Sequence, residues 1–234
     1  KVRTDVAELQ NIPGNHGFEA DIPIDAGNYW LDFTVHKRDN TQPVTTNPHA
    51  VTVTASQTGT VHLTPETGIV TLSDGAILTG AGGENTRASI AKGATVILSD
   101  AYLTAIPNDK DHEWAGITCL GDATIILANG TCNSVMGGNS RYPGIQVGPR
   151  GSTLTIRGSG SLIACGNGSR FAAGIGSALV DVIHDFECGN ILIEGGNITA
   201  FGSTAPAIGG STASSCGTIT ITGGTVYAES NGQI

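Results

Sequence analysis

The chain has 234 residues, enough for one or two domains, with 34 Gly, only 9 Pro and 13% charged residues. Those Gly recur at fixed places without a triplet period, which excludes collagen and argues against disorder. The formal net charge is −9, from 11 Lys and Arg against 20 Asp and Glu. With no basic patch to neutralise phosphates, nucleic acid is not an expected partner. No run of 18 apolar residues and no signal pattern at Lys1 is present. Direct membrane insertion is therefore not expected of this stretch, and any export signal or lipid anchor is expected upstream.

Residues 1–63 carry no repeat and read as a small antiparallel β module. Asn28 to Val35 alternates, with Tyr29, Leu31, Phe33 and Val35 on one face and Trp30 as a packing residue. Phe18 to Ile24 and Ala50 to Ala55 are two further strand candidates, and Arg38 to Pro43 is a polar turn. Thr58 to Leu63 fits either a fourth strand of this module or the opening edge of the repeat region.

Residues 64–234 hold a degenerate repeat of about 28 residues. Its segments open at Gly93, Gly121, Gly151, Gly189 and Gly217, and Gly68 to Leu78 is read as the first. Each has a Gly, an alternating apolar run such as Ile191-Leu192-Ile193, a small-residue corner and a second short apolar piece such as Asn197 to Ala200. A third marker recurs at Ile90, Ile117, Ile145, Ile175 and Ile208, spaced by 27, 28, 30 and 33 residues. Three short strands per turn with Gly corners describe an all-β, right-handed parallel β-helix. Its handedness follows the general rule for parallel crossovers. About six turns fit, a rod of roughly 29 Å at about 4.8 Å per turn. Ile234 falls where the next marker is due, so the solenoid is expected to continue beyond it.

Five Cys leave at least one thiol unpaired within the chain. Cys119 aligns with Val147 and Cys132 with Leu162, so both read as buried small hydrophobes. Cys188 and Cys216 each precede a repeat-opening Gly. Adjacent turns would place them roughly 4.8 Å apart, within disulfide range. A stacked pair of free thiols is the favoured reading over a bond. Asp74 and Asp100 are 26 residues apart and read as closing equivalent strands. They would be either stacked carboxylates or, more plainly, corner residues accepting hydrogen bonds from turn amides. No catalytic constellation stands out, so no enzyme is expected.

The loops before the Ile marker are the candidate site. Trp114 and Tyr142 stand two residues before a Gly and Phe171 three, with Glu113, Arg141 and Arg170 immediately preceding the rings. On successive turns this lines up either an aromatic ridge for sugar faces, with Arg supplying directional hydrogen bonds, or a ladder that merely covers the corner. Asp109, Asp111 and Glu113 fit a calcium ion. The insertion around Asp181, His184, Asp185 and Glu187 reads as a solvated loop.

The phrases Cys188-Gly-Asn-Ile-Leu-Ile-Glu-Gly-Gly-Asn-Ile-Thr-Ala, Phe171-Ala-Ala-Gly-Ile-Gly-Ser and Cys216-Gly-Thr-Ile-Thr-Ile-Thr-Gly-Gly-Thr-Val-Tyr-Ala resemble Gly-rich β-helix repeats of bacterial cell-surface proteins, especially from gut Bacteroides and some Firmicutes. Gly27 to Val35 resembles the closing strands of a fimbrillin-type sandwich. The resemblance implies a secreted or outer-membrane-anchored adhesin whose partner is a polysaccharide, a host glycan or a surface protein. It supplies no catalytic motif and no cofactor beyond the calcium ion considered above. A β-helix lyase or hydrolase and a structural stalk are the alternatives.

Overall fold

The computed structural model describes six short strands within residues 1–55 and, from 56 to 230, all but 105–113, 139–140, 167–170, 180–186 and 213. The chain is all-β, with no helix among the described residues. It divides into two compact units, Lys1–Ala55 and Ser56–Ile234.

In the first unit the described strands pair antiparallel. Gly27–Leu31 faces His49–Val53, Thr34–Val35 faces Val44–Thr45, and Gln10–Asn11 faces Phe18–Glu19. The side chains here, Trp30 among them, lie outside the described residues.

In the second unit each strand pairs in parallel with its counterpart one repeat away, and three ladders result. The first holds residues 94–98 of Ala94–Leu103, then Ala123–Leu127, Thr153–Gly158, Asn190–Ile193 and Ile219–Ile221. The second holds residues 102–103 of that strand, then Cys132–Met136, Ser161–Cys165, Asn197–Gly202 and Thr225–Ser230. The third runs from Ser56–Gln57 through Ile69–Leu72, Arg87–Ile90, Ile117–Cys119, Ile145–Gln146 and Ile175–Gly176 to Ile208–Gly209. Thr60–Leu63, whose sequence fits either unit, pairs in parallel with Ile77–Ala81, which pairs in turn with Ala94–Leu103.

Alternation decides what faces inward. Val96, Ile125, Ile156 and Ile193 of the first ladder are fully buried, as are Leu103, Val135, Ala164 and Ala200 of the second. Ile117, Ile145 and Ile175 of the third are buried with them, as is Ile90, which faces Cys119 and so is not the counterpart of Ile117 that the sequence spacing made it. Each large aliphatic side chain so buried contributes about 1.5–3 kcal/mol. The Gly before the marker Ile has a steric cause. A Cβ on Gly144 would stand 2.5 Å from the Val135 carbonyl oxygen, and one on Gly174 2.5 Å from that of Ala164. The third ladder can approach the second this closely only through Gly.

Two readings of the sequence are corrected here. Gly68 to Leu78 is not a single first-ladder segment. Ile69–Leu72 lies in the third ladder beside Arg87–Ile90, while Ile77 begins the strand facing Ala94–Leu103. The early repeats are shorter than 28 residues, so one apolar stretch there serves two ladders. Asp74 and Asp100 are not equivalent either. Ile77 faces Ile97 and Gly80 faces Ala101, which sets Ser99 and Asp100 together against Thr79 in a bulge. Asp100 takes φ 54°, a left-handed value rare outside Gly, Asn and Asp.

Candidate functional site

The carboxylates near the corners serve the backbone. Asp74 Oδ1 accepts from the Thr95 amide at 2.8 Å, Asp100 Oδ1 from Cys132 at 2.9 Å and Asp122 Oδ1 from Thr153 at 2.8 Å. Asn190 Oδ1 continues the pattern with the Thr218 amide at 2.9 Å. Each bond joins one repeat to the next. Asp74 and Asp100 are backbone acceptors, as the plainer sequence reading has it, but the donors are strand amides of the next repeat and not turn amides. Among the described residues no group of three or more His, Cys, Asp or Glu is placed to hold a metal ion. Asp109, Asp111 and Glu113, the expected calcium ligands, lie outside the described residues, as do Arg170, Asp181, His184 and Asp185. Glu187 pairs with Arg150 at 2.6 Å on the surface, where such a pair adds at most about 1 kcal/mol.

The three loop aromatics stand just ahead of paired strands. Ile117, Ile145 and Ile175 are in register. Trp114 and Tyr142 each precede their Ile by three residues and Phe171 by four. All three rings are half-buried, and Arg141 is exposed. The loops are tied down through their backbones. Gly138 donates its amide to the Trp114 carbonyl at 2.7 Å, and Leu179 donates to the Arg141 carbonyl at 2.8 Å. The Arg87 guanidinium lies over the Trp114 ring, 4.4 Å from its centroid. Partial burial lowers the Arg87 pKa. One face of Trp114 therefore holds a cation.

The cysteines depart from expectation in two places. Cys188 and Cys216 form a disulfide, with Cα atoms 4.4 Å apart at paired positions of adjacent repeats. Stacking at one register brought the thiols within bonding reach, so they are not a free pair. Cys132 is exposed and faces Ser161, one place out of the expected register. Asn133 takes the buried position opposite Leu162. Its amide is satisfied there, with Oδ1 accepting from Ala101 at 3.0 Å and Nδ2 donating to the Ser161 carbonyl at 3.0 Å. Cys119 is buried as expected, and burial pushes its thiol pKa up to about 12. Cys165 is half-buried, and burial raises its thiol pKa as well.

One surface was missed in the sequence. Tyr102, Ser134, Ile163, Thr199 and Tyr227 occupy one register across the five strands of the second ladder. Tyr102 is 38% exposed, Ile163 44% and Tyr227 56%. The Tyr227 ring meets Phe201 edge-on, centroids 6.3 Å apart at 67°, and its hydroxyl donates to Glu229 Oε2 at 2.8 Å. That bond, with the Glu229 charge, holds the phenol above its ordinary pKa. The signal was available: these residues alternate with the inward Leu103, Val135, Ala164 and Ala200.

No protein-family model matches the chain, and no curated protein and no solved structure is significantly similar to it. No helix among the described residues is long and apolar enough to cross a membrane.

Proposed function

We propose that this chain is a non-catalytic glycan-binding protein of the bacterial cell surface, related to the Gly-rich repeat adhesins of gut bacteria. In this reading residues 56–234 form a right-handed parallel β-helix of about six turns, preceded in the chain by a short antiparallel module that ends by residue 55 rather than 63. The three parallel ladders and their recurrence every 28 to 37 residues in the later repeats support the solenoid. The Cys188–Cys216 bond supports an oxidising, extracellular location. The observation that carries the function is the set of half-buried rings on successive repeats, Trp114 and Tyr142 at one station and Phe171 one residue further from its strand. Arg141 and Arg170 immediately precede Tyr142 and Phe171 in the sequence, and rings with neighbouring guanidinium groups suit acidic glycans, ring faces taking sugar faces and cations taking carboxylates.

A stalk that holds other domains away from the cell is the second reading. Arg87 seated on Trp114 favours it, because the ring then already has a structural task. A glycan array with calcium and with chelator, including polygalacturonate and sialylated mucin, separates the two. Saturable binding of acidic glycans, lost in the Trp114→Ala/Tyr142→Ala double variant while the far-ultraviolet spectrum stays unchanged, is expected. Binding that survives in the double variant removes the loop assignment, silence across the array favours the stalk, and release of cleavage products overturns the non-catalytic reading.

A further inference from the structure

The outward face of the second ladder, across Ser161–Cys165, Asn197–Gly202 and Thr225–Ser230, has its own chemistry. These three strands contain no Lys, Arg or His and a single carboxylate, Glu229. An anionic polymer or phosphate surface finds no counter-charge on it. A second copy of this chain, itself at net −9, is repelled at long range. Aromatic and aliphatic groups sit there among amide and hydroxyl groups, with Ile163, Thr199 and Tyr227 in one row and exposed Asn197 beside them. Tyr227 stands in the outward row on the last described strand, with its ring edge-on to Phe201 and its hydroxyl bonded to Glu229. A ring fixed before binding loses little rotamer freedom when a ligand arrives.

We infer that this face is a binding site for an uncharged glycan chain, with a sugar ring stacked on Tyr227 and its hydroxyls donating to Glu229 and bonding Thr199 and Asn197. The apolar C–H face of a pyranose matches the phenol, and the carboxylate keeps lone pairs beyond the one Tyr227 uses. The assignment rests on the glycan-binding reading above but concerns a different surface and a different ligand class from the loop rings.

The test is affinity electrophoresis of the full chain in native gels containing hydroxyethyl cellulose, xyloglucan, galactomannan or polygalacturonate. At least one of the three uncharged polysaccharides should retard the parent. Tyr227→Ala should weaken that retardation about tenfold or more and Tyr227→Phe only a few-fold, since the ring remains. The Trp114→Ala/Tyr142→Ala variant should retain it. Urea midpoints check that the exposed substitution leaves the fold intact. If Tyr227→Ala binds uncharged glycan within about twofold of the parent, the inference falls; polygalacturonate retardation lost in the loop variant would then leave the glycan-binding reading standing. Retardation by polygalacturonate alone also overturns the inference and spares that reading. No retardation by any of the four overturns both. A dimer seen by light scattering, lost in Tyr227→Ala and accompanied by no glycan retardation, would assign the face to a second copy instead.

Discussion

From Ser56 to Ala81 the strands lie 15 to 21 residues from their next partners, as from Ser56 to Thr71 and from Ala81 to Tyr102. Beyond residue 94 they advance by 28 to 37, as from Leu192 to Thr220 and from Thr155 to Leu192. The inner columns do not register the change, since Leu72, Leu78, Ile156 and Ile193 are equally buried. The added length goes into the connections. Ile77–Ala81 runs without a break beside both halves of Ala94–Leu103, accommodated by one bulge. In later repeats a corner separates the first-ladder strand from the second, and a loop precedes the third. Residues 82–86 make that last connection in the early region, whereas 104–116 make it where Trp114 lies. Stacking needs only the alternation, which frees the connections to vary in length.

The contrast is sharpened most by cutting the column both regions share. Ile156→Ala should cost about 2–5 kcal/mol in a urea unfolding experiment, and Leu78→Ala in the short repeats a similar amount. Ile163→Ala, two fifths exposed on the outer face, should cost under about 1 kcal/mol. Equal losses at Ile156 and Ile163 would break the inward–outward assignment.

The disulfide belongs to the long repeats alone. Cys188→Ser/Cys216→Ser should destabilise by about 2–4 kcal/mol. In hydrogen exchange, protection should fall at Ile191, Ile193 and Ile198 and stay unchanged at Leu63 and Leu78. Uniform loss along the chain would mean that the two regions unfold as one.

Asp100 sits at the bulge where the short pattern gives way to the long one. Asp100→Ala removes the acceptor of the Cys132 amide and leaves a non-Gly residue in the left-handed region, so a cost of about 1–3 kcal/mol is expected. Asp100→Asn keeps both the acceptor and the tolerance for that φ and should stay within about 0.5 kcal/mol. If both variants behave alike, the bond to Cys132 is unimportant. The smallest effect is on reactivity rather than stability. In the native protein at pH 8 an aromatic disulfide reagent should label Cys132 first, Cys165 slowly and Cys119 only after unfolding. Early labelling of Cys119 would place it outside the core.

Much of the parallel unit was legible because Leu154 with Ile156, and Ile191 with Ile193, repeat one alternation at one station. The Gly-Ile marker was legible too, since a Cβ at Gly116, Gly144 or Gly174 meets a neighbouring carbonyl. Cys132 was misplaced because the corner before it, residues 128–131, is two residues longer than its counterpart 159–160. Alignment by apolarity then set Cys132 against Leu162. A buried Asn133 is invisible to hydrophobic alternation, because its burial depends on partners from two other strands. The spacing of Cys188 and Cys216 placed them side by side, but a spacing of 28 does not report whether two thiols point at each other. Of the candidate site, the ring positions were readable and the cation on Trp114 was not. Arg87 reaches that ring from 27 residues earlier in the chain.

Joining Cys188 to Cys216 turns one complete repeat into a covalent ring. A tension applied to the chain beyond Cys216 peels away residues 217–230 and then passes through the sulfur bridge to the backbone before Cys188. Residues 189–215 are left out of the force path. In a single-molecule pulling experiment the ring would appear as missing contour length, on the order of 90 Å at about 3.4 Å per residue, which a reductant restores. Pulled from its two ends, the chain would have one fewer repeat to unravel while the bridge is intact.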